Sequence, residues 1–176
     1  DLSTAEFYEK MAATADLPSS FAPAPAAFDS ALRIAGADGD AVVCINLSSA
    51  LSATMQSAEN AQRAIGSDLD VRVVDSCSIT AGLGMQVLAA AAAAAEGASA
   101  DDIVALVEDL RSRTKLFGAL NTLDNLKKGG RIGGAQAMIG GLLSIKPIID
   151  ISTGSVAEAS KQRTRRKALV WLRDRL

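Results

Sequence analysis

The chain has 176 residues, 49% of them hydrophobic but only 3% aromatic, with 18 Lys and Arg against 20 Asp and Glu for a formal charge of −2. That length holds one full domain, or one domain plus part of a second, while the balanced charge and scarce aromatics leave neither the basic footprint nor the stacking platform of a nucleic-acid binder. With 0 histidines, Ser-His-Asp and Cys-His catalysis and His-ligated metal sites are excluded within this chain.

Ser3 precedes Glu6 at capping-box spacing, and Phe7, Met11 and Ala12 continue at helical intervals, so the chain opens with a short helix to about Thr14. A proline-punctuated loop follows, Leu17-Pro-Ser-Ser-Phe-Ala-Pro-Ala-Pro25, in which Ser19 and Ser20 have no helix to satisfy them. A helix is expected over residues 26–35, and Gly36 to Asp40 read as a turn. Residues 41–47 form an apolar, β-branched run suited to a buried parallel strand. A helix over 50–65, stopped by Gly66, and a second strand over 71–74 complete a βαβ crossover. Such sheets collect ligands at the carboxyl ends of their strands. Ser48 and Ser49, and the Asp75-Ser76-Cys77-Ser78 loop, fall at those ends. A strand that yields to hydroxyls at a helix start gathers free N–H donors and short polar side chains, which favours an anion.

Residues 80–96 read as a helix, with Ala89 to Ala95 giving high propensity and little bulk. Ser99 and Asp102 start the next, whose stripe of Ile103, Val104, Leu106, Val107 and Leu110 should close one side of the sheet. A strand over 115–120 and a short helix over 123–128, capped by Thr122 and ended by Gly129 and Gly130, come next. Arg131 then leads into residues 135–144, apolar and glycine-interrupted, either packed closely on a neighbour or movable over an apolar ligand. Residues 145–151, the Thr153-Gly154 turn and residues 155–159 suggest a hairpin, and Thr164 caps a final helix. Cys44 inside an apolar run and Cys77 just after another suit a buried small hydrophobe and a loop thiol, not a disulfide. The start carries no signal-peptide core and no uninterrupted spanning segment follows, so a soluble, cytoplasmic protein is expected.

Four blocks now stand in order: Leu47-Ser-Ser-Ala-Leu-Ser-Ala-Thr-Met-Gln-Ser-Ala58, Val74-Asp-Ser-Cys-Ser-Ile-Thr-Ala-Gly-Leu-Gly84, Leu123-Asp-Asn-Leu-Lys-Lys-Gly-Gly-Arg-Ile132 and Ile145-Lys-Pro-Ile148. In sequence and spacing they resemble the signature blocks of the DegV family. The resemblance implies an α/β fold, a parallel sheet flanked by helices in a DegV-type first domain (1–114, its first strand missing), with part of a second α/β domain (115–176, incomplete). It implies a bacterial protein that does no chemistry and needs no cofactor or metal. Such a protein binds a long-chain fatty acid and presents its carboxylate to a separate fatty-acid kinase, with transient membrane contact as a further expectation.

In the family a hydroxyl residue in the loop before Phe28 and the serine of a Leu-Ser-Gly-Thr block hold the carboxylate; these positions match Ser20 and Ser52, and the arginine after the paired glycines matches Arg131. Ser19, Ser48 and Ser49 are additional candidates. This chain departs from the pattern in having Phe21-Ala22-Pro23 after Ser20, where the family has Ser-Gln-Pro, which leaves Ser19 as the alternative match, and in having Ala53 for the usual glycine. The family's opening strand and the end of its second domain, with a carboxylate-contacting histidine, are also expected outside this chain. The competing readings are a small-molecule phosphotransferase related to dihydroxyacetone kinases, although no Walker loop or acidic metal cluster occurs, and a non-binding regulatory or assembly fragment. The basic cluster Lys161, Arg163, Arg165 and Arg166 is the candidate kinase contact, against the ordinary role of a solvated helix face.

Overall fold

The computed structural model describes residues 2–139 and 145–175. Helix α1, Thr4–Ala13, starts at the expected capping box: Ser3 accepts the Glu6 N–H while the Glu6 carboxylate accepts the Ser3 N–H. Helix α2, Pro25–Ala35, uses Pro25 at its first position, where a missing N–H costs nothing.

Strands β1, Val42–Asn46, and β2, Val71–Asp75, pair in parallel from Val42 opposite Val71 to Asn46 opposite Asp75. Between them lies α3, Thr54–Ile65, so the βαβ unit read from the apolar runs is present. Period-two alternation sends the side chains of each strand to opposite faces. Val42, Cys44, Val71 and Val73 pack with Leu32 of α2 and Ala61 and Ile65 of α3. Val43, Ile45 and Val74 face α4, Thr80–Ala95, and α5, Ala100–Arg113, through Ala90, Ile103 and Val107. Alanines along α4 bring that helix close to α5 without bulk, and Ser99 caps α5 by accepting the Asp102 N–H. The expected stripe on α5 therefore does close one face of the sheet.

The second sheet is antiparallel, in the order β3, β4, β5. β3, Phe117–Ala119, pairs with β4, Lys146–Asp150, which turns through Gly154 into β5, Ala157–Gln162, with a register shift between Ile148 and Ile149. The expected hairpin is thus present. Helix α6, Asp124–Lys128, and a 3-10 helix, Gly133–Met138, cover the sheet, and α7, Arg165–Arg173, capped by Thr164, closes the chain. Trp171 of α7 meets Phe117 edge-on at 5.4 Å between ring centres, docking α7 on the sheet.

Three differences from expectation bear on the site. The helix expected from residue 50 begins at Thr54, because the Leu51 and Ser52 N–H groups donate to the Ser48 carbonyl at 3.1 and 3.2 Å and close a turn first. The strand expected over 115–120 is confined to Phe117–Ala119, since the Leu116 N–H is taken by Ser152 Oγ at 3.1 Å. Of the apolar segment over 135–144, Ala135 and Met138 are buried as a packed 3-10 helix, while residues 140–144 lie outside the described residues.

Candidate functional site: an apolar cavity beside the strand-end loops

The loops leaving β1 and β2 are held by their own backbone and by Asp75. The parallel pairing continues past the strands through Ser76 N–H to Asn46 O, 3.0 Å, and Ser48 N–H to Ser78 O, 2.9 Å. The Asp75 carboxylate accepts the Cys77 N–H at 2.8 Å and the Ser49 N–H at 3.2 Å, so one side chain clasps both loops. Arg111 donates to the Asp75 carbonyl at 3.0 Å from α5, and Gln86 Nε2 to the Ser76 carbonyl at 3.2 Å from α4. Fixing a tight exit from β2, Cys77 and Thr80 both adopt φ of 47°, unusual outside glycine. Both cysteines are free thiols. Burial, then the nearby Asp75 charge, pushes the Cys77 thiol above its ordinary value, and burial does the same for Cys44.

Beside these loops lies a cavity of ≈ 750 Å³, within the ~300–1,000 Å³ of small-molecule sites. Leu51 and Ile79 line it from the parallel-sheet half, and Leu116, Leu120, Ile149, Ile151 and Val156 from the antiparallel sheet. Those aliphatic groups belong to one cluster anchored by the buried Leu123, Ile132, Ala135 and Met138. The lining is therefore mostly aliphatic, and its polar groups are few: Thr80, Asn121, Thr122, Asn125 and Arg131. Gly118 also lines it; a Cβ there would stand 3.2 Å from Ile149 Cγ1. A space of this kind accepts a flexible hydrocarbon and offers polar contacts at particular points only.

Arg131 is the candidate residue on the cavity wall itself. Its Nε donates to the Leu51 carbonyl at 3.1 Å and Nη1 to the Gly129 carbonyl at 2.7 Å, so the guanidinium pins the turn before α3 to the end of α6. Ser52 follows Leu51 directly and stays half-buried; its Oγ lies 2.9 Å from Thr54 Oγ1 and accepts the Thr54 N–H at 3.2 Å. The structure thus brings Arg131 and Ser52 together through Leu51. Ser48 is 1% exposed, and its Oγ donates to the Gly154 carbonyl at 2.6 Å. Ser49 is exposed and engages Asp75 through its N–H. Ser19 and Ser20 are exposed in the loop before α2, and neither lines this cavity. The loop's beginning is tied to the same end of the molecule by Lys128, whose Nζ donates to the Ala15 carbonyl at 2.8 Å.

Sequence reasoning did not single out Thr80, Asn121 or Asn125 as cavity residues. Thr80 carried a signal in retrospect, a β-branched residue between a hydroxyl loop and a glycine-containing helix start, but its positive φ depends on tertiary packing. Asn121 and Asn125 read as ordinary turn and helix polarity. Among the described residues no group of three or more His, Cys, Asp or Glu side chains is placed to hold a metal ion, and no helix is long and apolar enough to cross a membrane.

This arrangement has counterparts. The model of the DegV family, described as an uncharacterised protein family, matches residues 1–176. The chain belongs to the DegV family. A DegV domain-containing protein of Listeria monocytogenes is 39% identical over 173 residues, covering 97% of this chain and 61% of its relative. One of Deinococcus radiodurans is 38% identical over 173 residues, covering 98% and 61%. This chain therefore spans about three fifths of the length of the curated DegV relatives it matches. Among solved structures, a Thermus thermophilus DegV protein described by its fatty-acid binding superposes with a TM-score of 0.88 at 36% identity, covering 99% of this chain and 63% of the other. A fatty-acid-binding DegV protein of Streptococcus agalactiae gives 0.83 at 29%, covering 98% and 62%. The expected α/β architecture, a parallel sheet flanked by helices, is the fold these DegV proteins share.

Proposed function

We propose that this DegV chain carries the body of a fatty-acid site: the acyl tail occupies the aliphatic cavity, and the carboxylate lies where Arg131 meets the turn ending in Ser52. The observation that carries this reading is the cavity itself, ≈ 750 Å³ with a mostly aliphatic lining and a guanidinium on its wall. Burying each methylene of a tail there is worth about 0.8 kcal/mol before the costs of ordering it. A carboxylate held by hydroxyls and one partly engaged arginine keeps most of its charge and remains reactive toward a phosphoryl donor. The proposal extends to Ser20, whose loop would close over the head group, with Ser19 as its alternative and Ser49 in reserve at the strand end. It treats residues 1–114 and 115–176 as portions of two domains meeting at the cavity.

The fatty-acid-binding descriptions of the Thermus and Streptococcus proteins support this reading. The same reading makes the protein a cytoplasmic binding partner and not an enzyme: a separate kinase phosphorylates the presented carboxylate. The test is extraction of the purified protein with organic solvent followed by mass spectrometry, on this chain and on its full-length form. A long-chain acid near one equivalent in the full-length form is the expected result. Its absence there, together with failure to take up added oleate, rejects the proposal.

A further inference from the structure

The turn between β1 and α3 is fastened to the antiparallel half at two points. One is Arg131 Nε to the Leu51 carbonyl, 3.1 Å. The other is Ser48 Oγ to the Gly154 carbonyl, 2.6 Å, joining residues 106 apart in sequence. Ser48 is 1% exposed, and its hydroxyl is used on both sides, since its oxygen also accepts the Ala50 N–H at 3.3 Å. With its only proton committed to a carbonyl, this hydroxyl has no donor left for a carboxylate.

The Gly154 side of the contact is equally constrained. Gly154 is buried with φ of 86°, and a Cβ there would come within 2.7 Å of Ser48 Oγ and 3.2 Å of Cys77 Cβ. The turn carrying Gly154 is bound from its other side too: Ile151 N–H donates to Leu116 O at 2.9 Å and Leu116 N–H to Ser152 Oγ at 3.1 Å. Leu51, Leu116 and Ile151 all line the cavity. The Ser48–Gly154 bond therefore connects two turns, one from each half of the molecule, whose neighbouring side chains line one space.

We infer that Ser48 is a positioning residue that latches the two walls of the cavity together through Gly154, governing how fast a ligand enters and leaves without touching its head group. The inference rests on the fatty-acid reading for the ligand, but the latch has an observable of its own. Separating the walls enough for a tail to pass requires this buried bond to open. Removing it leaves the Gly154 carbonyl without its donor and lowers the barrier in both directions, by about 2- to 10-fold for one hydrogen bond.

The experiment uses the whole chain with Ser48→Ala and Ser48→Cys, the second preserving volume with a weaker donor. Stopped-flow fluorescence follows uptake and release of cis-parinaric acid and of its methyl ester, and amide exchange without ligand follows residues 48–54 and 151–156. The expected result is that Ser48→Ala accelerates both uptake and release about 2- to 10-fold for acid and ester alike, with Ser48→Cys intermediate and faster exchange on both turns. Acceleration confined to the acid would mean that Ser48 binds the carboxylate, and overturns the latch. So does a lowered melting temperature with unchanged ligand rates. Should Ser48→Ala not fold, equal rates in Ser48→Cys and the native chain overturn it as well. If the full-length form carrying native Ser48 takes up neither probe, the fatty-acid reading fails. The exchange data then decide the latch separately, unchanged exchange in both turns rejecting it.

Discussion

The two halves of the molecule bury different chemistry. Every buried polar side chain among the described residues, Asn46, Ser48, Ser76, Ser78 and Gln86, lies in the parallel-sheet half. The antiparallel half buries Leu123, Ile132, Ala135, Met138, Ile148, Ile149, Ile151 and Val156. Buried polar groups cost free energy unless they are hydrogen-bonded, and the paired ones here, Ser48 Oγ, Ser76 Oγ, Asn46 Nδ2 and Gln86 Nε2, fix loop geometry in a way that aliphatic contacts do not. The parallel half therefore supplies defined polar positions at its strand ends, and the antiparallel half supplies shapeable apolar volume. The cavity lies where the two meet, with Leu51 and Ile79 reaching from the first into the aliphatic cluster of the second.

The contrast breaks most severely at the centre of the antiparallel sheet. Ile148 is 0% exposed, and Ile148→Ala removes a side chain with no water-filled alternative. A loss of about 2–5 kcal/mol in unfolding free energy is expected, read from urea denaturation. A cost under about 1 kcal/mol would mean that this half repacks freely around the loss.

A smaller effect is expected at the seam between the 3-10 helix and β5. Gly133 has φ of 49°, and a Cβ there would stand 2.5 Å from the Val156 carbonyl oxygen. Because that atom is backbone, it yields only by shifting β5, and Val156 lines the cavity. Gly133→Ala should cost about 1–3 kcal/mol of stability and weaken ligand uptake together with it. Full stability with normal uptake would show that the two elements move independently.

On the polar side, Ser52→Ala should weaken binding of a long-chain acid by about 1–3 kcal/mol if the carboxylate is left short of a donor, measured by titration calorimetry, with little change in melting temperature. Unchanged affinity removes Ser52 from the head-group site and leaves the role to Arg131 and the Ser20 loop.

These positions also mark how far the chain is legible before it folds. The capping residues Ser3, Ser99 and Thr164 do what their local spacing implies, because a cap involves only its own first turn. The β-branched runs give both parallel strands, in which the structure sends Cys44 and Ile45 to opposite faces. The start of α3 lies later than the residue pattern implies because the Ser48 carbonyl first closes a backbone turn, a contact that leaves no mark on the side-chain pattern. For the candidate site, local pattern marked only the hydroxyl-rich ends of the parallel strands, Ser48, Ser49 and residues 75–78; Ser52 and Arg131 came from the resemblance to the DegV family. The partners, Leu51 for Arg131 and Gly154 for Ser48, are 80 and 106 residues distant. No periodicity encodes such contacts; they follow from how the two halves dock.

The smallest expected effect concerns Cys44, whose thiol sits against α2 and α3 in the parallel half. Burial raises its pKa above the ordinary thiol value, partly offset by the Asn46 side chain, whose Nδ2 lies 3.4 Å from the sulfur. The thiol is neutral in both folded and unfolded chains below its ordinary value, so its contribution to stability is fully present there. As pH rises past about 8.5 the unfolded thiol ionises first and the unfolded state binds fewer protons, so unfolding free energy falls until the higher folded value is reached. Cys44→Ala should flatten the alkaline decline measured by urea unfolding between pH 8 and 10 (an order-of-magnitude window, ~1 unit either side of the thiol range), whereas a Cys77→Ala control, at a thiol lodged in a loop and not between sheet and helices, should flatten it less. An equal effect at the two positions would mean that the strand-end loops are as tightly closed to water as the core of the sheet, and the division between a polar, geometry-setting edge and an apolar interior would have to be redrawn within the parallel half itself.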